Sequence, residues 1–317
     1  MDNSTQQDLE GTAGRRTVLG ALGAATLAAT FSTVSPAHAA GRQRPPGQLI
    51  GPVAAPDVHA MSFNIRMESS EARPGQPDYW PERIPALQAL LRLEQPTVLG
   101  VQEAEFHQLA AVTDALPATY RMVGYGREGG WHGEHCSIFY DGARLRLVSW
   151  NQFWLSDAIG VIGSRTWGNR IPRVVTWGRF ADRATGREFV AANTHLDHES
   201  ENARVRSARL MAEARTWFAG TPMILMGDFN ASAAASSVYS ILVGSETFRD
   251  TWRSAGNRLT PAYGTSPGYG MPAVGGRRID WILGTDGIPA RSTGINPFRH
   301  NGRWPSDHLP VQALLRL

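Results

Sequence analysis

The stretch Pro222-Met-Ile-Leu-Met-Gly-Asp-Phe-Asn230 decides how this chain is interpreted. Met223 to Met226 is a short apolar run, typical of a strand buried on both faces, and it ends at Gly227. Asp228 and Asn230 follow two positions apart, so an extended backbone places both side chains on the same side. A carboxylate there can accept a proton, and an amide can hold a substrate oxygen. Asp, Asn and Gly are also common turn residues, and by itself the stretch favours an ordinary turn.

The first residues of the chain have the composition of an export signal. Arg15-Arg16 precedes a weakly apolar, Ala/Gly-rich run from Thr17 to Phe31, and Ala37-His38-Ala39 has the form of a signal-peptidase site. Paired arginines before such a run are typical of the twin-arginine signal. We therefore expect residues 1–39 to be a signal peptide and residues 40–56 a linker, with the mature protein secreted or extracytoplasmic. The apolar run is interrupted and short, so no stable membrane insertion is expected.

Residues 57–317 are enough for one large domain with a generous core. The single cysteine, Cys136, excludes an internal disulfide. Every basic side chain is an arginine, which excludes P-loop and Schiff-base chemistry because both need a lysine. The formal net charge of +3 suits a phosphate-bearing substrate but is too weak to indicate nucleic acid by itself.

The order of the predicted elements indicates the fold class. The domain begins with strand, helix, strand and helix, and continues with a run of strands, which implies antiparallel pairing. We predict an α/β fold, a four-layer α/β/β/α sandwich in which two mainly antiparallel sheets pack face to face with helices outside. The predicted strands are Val58–Ile65, Pro96–Glu103, Tyr120–Tyr125, His135–Tyr140, Leu145–Leu155, Val174–Phe180, Phe189–Leu196, Met223–Met226, Arg278–Leu283 and Leu309–Leu315, and the predicted helices are Trp80–Leu93, Phe106–Leu116, Glu201–Phe218 and Ser236–Leu242.

Residues able to bind metal or move protons collect at the ends of these strands. A further acid, Asp280, lies inside the otherwise apolar strand Arg278–Leu283, where a buried charge needs a partner. Strand ends of a sandwich converge on one rim, so turn chemistry is a poor explanation for so many of them. The strand-end residues are Asn64, Glu103, His195 with Asp197, Asp228 with Asn230, and Asp307 with His308.

These residues stand in motifs that resemble the series of the endonuclease/exonuclease/phosphatase superfamily. That family includes apurinic endonucleases, pancreatic-type deoxyribonuclease, deadenylases, inositol polyphosphate phosphatases and neutral sphingomyelinases. The resemblance covers the whole mature domain in the family's order, and it implies the four-layer sandwich and divalent-metal hydrolysis of phosphoesters. The motifs are Phe63-Asn64, Gln102-Glu103, Asn193-Thr-His195-Leu, Gly227-Asp-Phe-Asn230, Ile279-Asp280-Trp and Ser306-Asp-His308.

The resemblance implies a metal site built on oxygen ligands. Glu103 is implied to be the main Mg²⁺ ligand, with Asn64 beside it and Asp307 adding to the site. A hard site with few protein ligands suits Mg²⁺, which keeps waters and binds phosphate, and Mn²⁺ is the alternative cofactor.

The resemblance also implies catalytic roles. Asp228 is implied to orient or deprotonate the attacking water, helped by Asn230. His308 is implied to contact the scissile phosphate, with Asp280 keeping its imidazole cationic. His195 is implied to be a second phosphate contact.

The choice of phosphoester is less determined by the sequence. Gly124–Gly130 and the following Gly133-Glu134 resemble a bacterial, deadenylase-like subgroup, so Arg127 and Glu134 are candidate substrate contacts; a glycine-rich hairpin loop with a solvated arginine explains these two residues equally well. Asp197 lies close to His195 and is a third candidate contact.

Three functions stay open. The first is an exported phosphatase or phosphodiesterase on small or lipid-linked phosphates, which we favour. The second is a secreted nuclease, for which exposed aromatic residues such as Trp131 and Trp167 would allow base stacking. The third is a non-catalytic binding module, which the complete set of catalytic residues disfavours. We expect a monomer that acts on a small-molecule, lipid-linked or nucleic-acid phosphoester.

Overall fold

The computed structural model describes residues 45–218 and 220–317. The predicted signal peptide, residues 1–39, and the first five residues of the predicted linker, residues 40–44, lie outside the described residues. Among the residues that are described, no helix has the length and apolar character needed to cross a membrane.

The described chain forms two β-sheets with helices against them. The strands are β1 Asp57–Asn64, β2 Val98–Gln102, β3 Tyr120–Val123, β4 Ile138–Asp141, β5 Leu145–Trp154, β6 Val174–Asp182, β7 Glu188–His195, β8 Met223–Asp228, β9 Arg249–Asp250, β10 Asn257–Arg258, β11 Asp280–Gly284, β12 Ala290–Ile295 and β13 Val311–Arg316. The α-helices are α1 Trp80–Glu94, α2 Leu109–Ala115, α3 Glu201–Ala214, α4 Ser237–Tyr239 and α5 Thr251–Ser254, with 3-10 turns at Phe106–Gln108 and Arg215–Phe218 and a π-helical turn at Ser240–Gly244.

The strand order brings the polar strand ends together. The first sheet runs β10-β12-β13-β1-β2-β4-β3, and the second runs β5-β6-β7-β8-β11-β9. At the centre of the first sheet β1 is parallel to β2 and antiparallel to β13. At the centre of the second, β7 is parallel to β8, and β8 is antiparallel to β11. In both sheets the carboxyl ends of two parallel strands therefore lie beside the amino end of an antiparallel neighbour.

Three apolar clusters separate the four layers. One fills the space between the sheets and includes Val58 of β1 and Ile224 of β8. A second covers the outer face of the second sheet, where Met211 of α3 packs. A third covers the outer face of the first sheet, where Leu87 of α1 and Val112 of α2 pack. The predicted four-layer α/β sandwich is confirmed, with mixed sheets in which β1–β2, β7–β8 and β10–β12 are the parallel pairs.

A buried amide joins the two sheets next to the polar rim. Asn193 of β7 donates from Nδ2 to the carbonyl oxygens of Val101 (2.8 Å) and Ser137 (3.0 Å). Its Oδ1 accepts a bond of 2.6 Å from Nε2 of Gln102. Because buried polar groups are costly when unpaired, these bonds fix how the rim of one sheet faces the rim of the other.

Some elements differ from the sequence-based expectations. The strand β12 was not predicted, because Ala-Arg-Ser-Thr-Gly-Ile has neither an apolar run nor clear alternation; pairing with β13 forms it. The strand predicted from His135 begins at Ile138, and His135 makes isolated bridges to Ala104 and Gly126 instead. Residues 49–51, inside the predicted linker, are held by the Glu94 carboxylate, which accepts backbone N–H bonds from all three.

Candidate active site

Three side chains of the second sheet lie in one row across its central strands. His195 at the end of β7 is opposite Asp228 at the end of β8, and Asp228 is opposite Asp280 at the start of β11. Residues directly opposite one another in neighbouring strands point to the same face, so all three converge. Gly227 makes the close approach of β7 and β8 achievable, because a Cβ there would lie 2.1 Å from the carbonyl oxygen of Thr194.

The first sheet supplies the facing half of the site. Asn64 ends β1, and Glu103 follows β2 in the left-handed region at φ 59°. Ser306 brings the segment before β13 against them, since its Oγ donates to the carbonyl oxygen of Asn64 at 2.7 Å. The same Oγ accepts from the backbone N–H of His308 at 3.1 Å, which orients the Asp307-His308 pair toward the other sheet.

Asn64 connects the two carboxylates on which the predicted chemistry depends. Its Nδ2 donates to Oε1 of Glu103 (2.9 Å) and to Oδ2 of Asp228 (3.1 Å). Its Oδ1 accepts from the backbone N–H of Arg66 at 3.0 Å. In this arrangement Asn64 orients Glu103 and Asp228, and its role as a metal ligand stays a prediction.

The histidine predicted to contact phosphate is paired with two acids. His308 Nδ1 lies 3.0 Å from Oδ2 of Asp280 and 3.8 Å from Oδ2 of Asp228. Burial lowers the pKa of His308, but the charges of Asp280 and Asp228 outweigh it and hold the pKa well above its usual range. Burial, together with the charge of Asp280, raises the pKa of Asp228 to about 7. The pair Asp280–His308 is thus placed as the sequence indicated, with the imidazolium favoured.

Asn230 fixes the position of the His195 ring. Asn230 Nδ2 donates to the carbonyl oxygen of Leu196 at 3.0 Å, which fixes the orientation of this amide, and it also contacts His195 Nε2 at 3.0 Å. Nε2 of His195 thus faces Asn230 and the site, whereas Nδ1 is buried and has no hydrogen-bond partner among the described residues. Burial and the positive charges of Arg173 and Arg127 hold the pKa of His195 well below its usual range, so the ring is neutral.

The candidate substrate contacts are engaged with other protein groups. Arg127 donates twice to Glu134, at 2.7 and 2.9 Å, and both side chains are mostly buried. Asp197 accepts backbone N–H bonds from Glu199 (3.1 Å) and Ser200 (2.7 Å), which hold the chain entering α3. Arg127 is close enough for its charge to lower the pKa of His195, and Glu134 is held against Arg127.

Several site residues escaped the sequence analysis. Arg66 lies 3.5 Å from Oε2 of Glu103 and 4.0 Å from Oδ2 of Asp307. Arg173 lies 3.5 Å from Oδ2 of Asp197 and is almost fully buried. Arg66 stands only two positions after Asn64. Its closeness in sequence to this predicted metal ligand was the one feature that could have identified it.

The described residues contain oxygen ligands suited to a divalent cation. Ligand atoms of Glu103, His195 and Asp228 lie within 4.8 Å of one another. The side chains of Glu103 and Asp307 are about one-sixth to one-quarter exposed (15% and 23%), so they are reachable from the cleft. Burial raises the pKa of Glu103, but the bond from Asn64 and the charges of His308 and Arg66 lower it overall, which keeps this carboxylate ionised. Ionised carboxylate oxygens fit Mg²⁺ or Mn²⁺.

Comparison with known sequences identifies the family. The sequence model of the Endonuclease/Exonuclease/phosphatase family matches residues 61–308 of this chain. Protein angel of Drosophila melanogaster is 30% identical over 171 residues, which cover 50% of this chain and 45% of that protein. The chain therefore spans less than half the length of this curated relative.

Solved structures show the same fold over most of the chain. A mannosyl-6-phosphatase of Bacteroides thetaiotaomicron is 31% identical with a TM-score of 0.76, and the match covers 82% of this chain and 100% of that one. A second protein of the same organism, described as an endonuclease/exonuclease/phosphatase family protein, is 30% identical with a TM-score of 0.76, covering 82% of this chain and 94% of that one. Together with the geometry of the rim, these matches show that the chain belongs to the endonuclease/exonuclease/phosphatase family, whose members are divalent-metal-dependent phosphoesterases.

Proposed function

We propose that this protein is an exported, divalent-metal-dependent phosphatase or phosphodiesterase that acts on small or lipid-linked phosphoesters as a monomer. The observation that carries the proposal is the in-register row His195–Asp228–Asp280 facing Glu103 and His308 across the cleft. This row combines a candidate base, a candidate phosphate contact and an ionised carboxylate within one site.

Glu103 and Asp307 would hold the cation, with Asn64 fixing the orientation of Glu103. When bound, Mg²⁺ or Mn²⁺ polarises a phosphoryl oxygen and neutralises part of its charge. Glu103 is suited to this task because its left-handed backbone and its bond from Asn64 hold the carboxylate in one position. Asp307 approaches from the segment before β13, in the same sheet as Glu103, so the first sheet would supply both carboxylates.

Asp228 is the group proposed to orient the attacking water and accept its proton. Its Oδ1 accepts the backbone N–H of Asn230 at 2.9 Å, and its Oδ2 accepts from Asn64 at 3.1 Å. With both oxygens held, the remaining lone pairs have a fixed direction, which is what a positioned base requires. Asn230 thereby helps through its backbone as well as through its amide.

His308 is the group proposed to stabilise the charge that develops on the phosphoryl oxygens. Its Nδ1 donates to Asp280 at 3.0 Å, which leaves Nε2–H as the donor for the substrate. A preorganised cationic donor in a water-poor site lowers the barrier because it needs no reorganisation during the reaction. His195, neutral and held by Asn230, is the proposed second phosphate contact through its Nε2 side, because Nδ1 is buried.

Two observations favour small phosphoesters over nucleic acid. The mannosyl-6-phosphatase is matched over its whole length, which supports a terminal phosphate on a small molecule such as a sugar. Of the two tryptophans expected to stack on bases, Trp131 is exposed, but Trp167 is only 5% exposed and cannot stack on them.

The proposal is tested by supplying the purified protein with Mg²⁺ or Mn²⁺ and a panel of substrates. The panel is p-nitrophenyl phosphate, bis-p-nitrophenyl phosphate, sugar phosphates, phospholipids, plasmid DNA and RNA. We expect hydrolysis of the small esters, abolished by a chelator and restored by added metal. Fast cleavage of DNA or RNA with negligible activity on the small esters would favour the nuclease instead.

Export is a separate part of the proposal and has its own test. The pair Arg15-Arg16 before the Ala/Gly-rich run supports it. Replacing both arginines by lysine retains the charge but removes the twin-arginine signature, so the protein should accumulate inside the cell. Unchanged recovery of the variant outside the cytoplasm would contradict this route.

A further inference from the structure

Arg66 occupies a strained and strongly constrained position at the rim. Its backbone is in the left-handed region at φ 59°, where a residue other than glycine is uncommon. The conformation is held because its N–H donates to Asn64 and its carbonyl oxygen accepts from Nη2 of Arg83 (3.0 Å) and Nε2 of Gln108 (3.1 Å). Strain that the surroundings enforce in this way is concentrated at functional sites.

Three acidic side chains surround the guanidinium of Arg66, but none of them forms a short hydrogen bond with it. Its nearest carboxylate oxygens are those of Asp78 at 3.3 Å, Glu103 at 3.5 Å and Asp307 at 4.0 Å. Strong charge-assisted bonds are shorter, about 2.7–2.9 Å. The Arg127–Glu134 pair of the same chain has such lengths, 2.7 and 2.9 Å. A third of the Arg66 side chain is exposed (33%), so donors remain for a ligand in the cleft.

We propose that Arg66 is a substrate-binding residue that donates to the non-bridging oxygens of the phosphoryl group. This inference rests on the proposed function and deepens it. The planar fork of arginine matches two oxygens of a phosphate, and it would approach from the side of Glu103 and Asp307, whereas His308 approaches from beside Asp228 and Asp280. The substrate phosphate would then be held between two cationic side chains, Arg66 after β1 and His308 before β13.

The loop Thr260–Gly276 contributes through a second residue. Tyr269 in this loop donates from its hydroxyl to Oδ1 of Asp78 at 2.6 Å, and Asp78 Oδ2 accepts from Arg66 at 3.3 Å. The loop is itself tied to the site, because the backbone N–H of Gly268 donates to the carbonyl oxygen of Asp307 at 3.1 Å. Tyr269 is thus a positioning residue, which holds Asp78 so that Arg66 extends into the cleft.

The test compares Arg66→Gln, Arg66→Lys and Tyr269→Phe with the wild-type protein over a range of Mg²⁺ concentrations up to saturation. Binding of inorganic phosphate is measured by calorimetry, and kcat and KM are measured with p-nitrophenyl phosphate. Losing a charge-assisted bond should weaken phosphate binding and lower kcat/KM by about 10- to 100-fold in Arg66→Gln. Arg66→Lys, which keeps the charge without the fork, should lose less, and Tyr269→Phe should raise KM by a factor of about 2 to 10.

The matched control is Arg291→Gln. Arg291 pairs with Asp57 at 2.8 Å, at the opposite end of β1 from Asn64, so this variant removes an arginine–aspartate pair far from the cleft. It should bind phosphate as the wild type does.

Three results would overturn the inference. One is phosphate affinity and KM in Arg66→Gln equal to those of Arg291→Gln. Another is a loss that disappears when more Mg²⁺ is added, because Arg66 would then only organise the carboxylates. The third concerns the case in which Arg66→Gln does not fold. The inference is then overturned if Arg66→Lys and Tyr269→Phe both fold and retain full phosphate affinity. If the wild type binds phosphate but hydrolyses no ester, the proposed function fails, and phosphate binding still decides the role of Arg66.

Discussion

Asp228 has the most demanding environment of any residue in the site. It is buried, it faces His195 and Asp280 across two strand pairs, and its two oxygens accept from Asn64 and from the backbone of Asn230. An asparagine in place of Asp228 would have only one side-chain oxygen that can accept a hydrogen bond, and its amide could not take a proton from water.

Replacing Asp228 by Asn should therefore remove most of the activity while preserving the shape of the site. We expect kcat/KM on p-nitrophenyl phosphate to fall by roughly 10² to 10⁴, with Mg²⁺ binding retained. The thermal midpoint should not fall, because a buried carboxylate next to Asp280 is replaced by a neutral group. Activity within a factor of about 3 of the wild type would remove Asp228 from the mechanism.

Asn230 permits a separation of backbone and side-chain effects. Its φ of 47° is in the left-handed region, which Asn and Gly tolerate better than Ala. Asn230→Gly should keep the stability within about 1 kcal/mol but lower kcat/KM by about tenfold, because the bond to His195 is lost. Asn230→Ala should show the same kinetic loss and a further destabilisation of about 1 kcal/mol. Denaturant titration and kinetics on the three proteins check this, and equal stability of the Gly and Ala variants would contradict the strain argument.

At the scale of the element, the pairing of β7 with β8 sets where Asp228 and His195 meet. A Cβ on Gly227 would lie 2.1 Å from a backbone oxygen of Thr194, which no side-chain movement can relieve. Gly227→Ala should destabilise the protein by about 3 kcal/mol or more and lower the activity of the remaining folded protein. The control Gly244→Ala has its nearest neighbour 3.9 Å from the new Cβ, so its stability should change by less than about 1 kcal/mol. Thermal or urea unfolding distinguishes the two, and similar midpoints would show that β7 and β8 can separate.

The elements also show what the sequence could and could not predict. Asp228, His195 and His308 were found because each directly follows or precedes an apolar strand, and the order of such motifs is family-specific. Arg66 was missed because its position depends on a left-handed backbone that Arg does not favour.

Contacts between distant segments were equally inaccessible. Tyr269 reaches Asp78 across 191 positions of sequence, and no local pattern records that contact. The strand β12 has no apolar period of its own and is formed by pairing with β13. Trp167, an aromatic residue in a polar loop, gave no sign that it would be buried.

At the scale of the whole molecule, His59 couples stability to pH at a place remote from the cleft. Its Nδ1 donates to the carbonyl oxygen of Gly51 at 2.8 Å, and its ring is fully buried beside Glu94. Burial lowers the pKa of His59 from 6.5 to about 4, although Glu94 opposes the shift. The unfolded chain therefore binds a proton at a higher pH than the folded protein does.

The direction in which stability changes with pH follows from that difference between the two pKa values. The contribution of His59 to stability is complete above pH 6.5 and is lost as the pH falls from 6.5 to about 4. The loss amounts to about 3 kcal/mol at the acid end. His59→Asn keeps a donor for Gly51 but does not titrate, so its urea midpoint should fall less between pH 7.5 and 4.5 than that of the wild type. A His59→Asn profile parallel to that of the wild type would contradict the account.

The central claim is that the convergent rim of the two sheets hydrolyses phosphoesters with the help of a divalent cation. The most direct measurement is the release of p-nitrophenol from p-nitrophenyl phosphate and bis-p-nitrophenyl phosphate by the chelator-treated protein, with and without added Mg²⁺, alongside Asp228→Asn and His308→Ala. We predict activity only in the wild type and only when the cation is present. Hydrolysis that persists in the chelator, or that both variants retain in full, would contradict the claim.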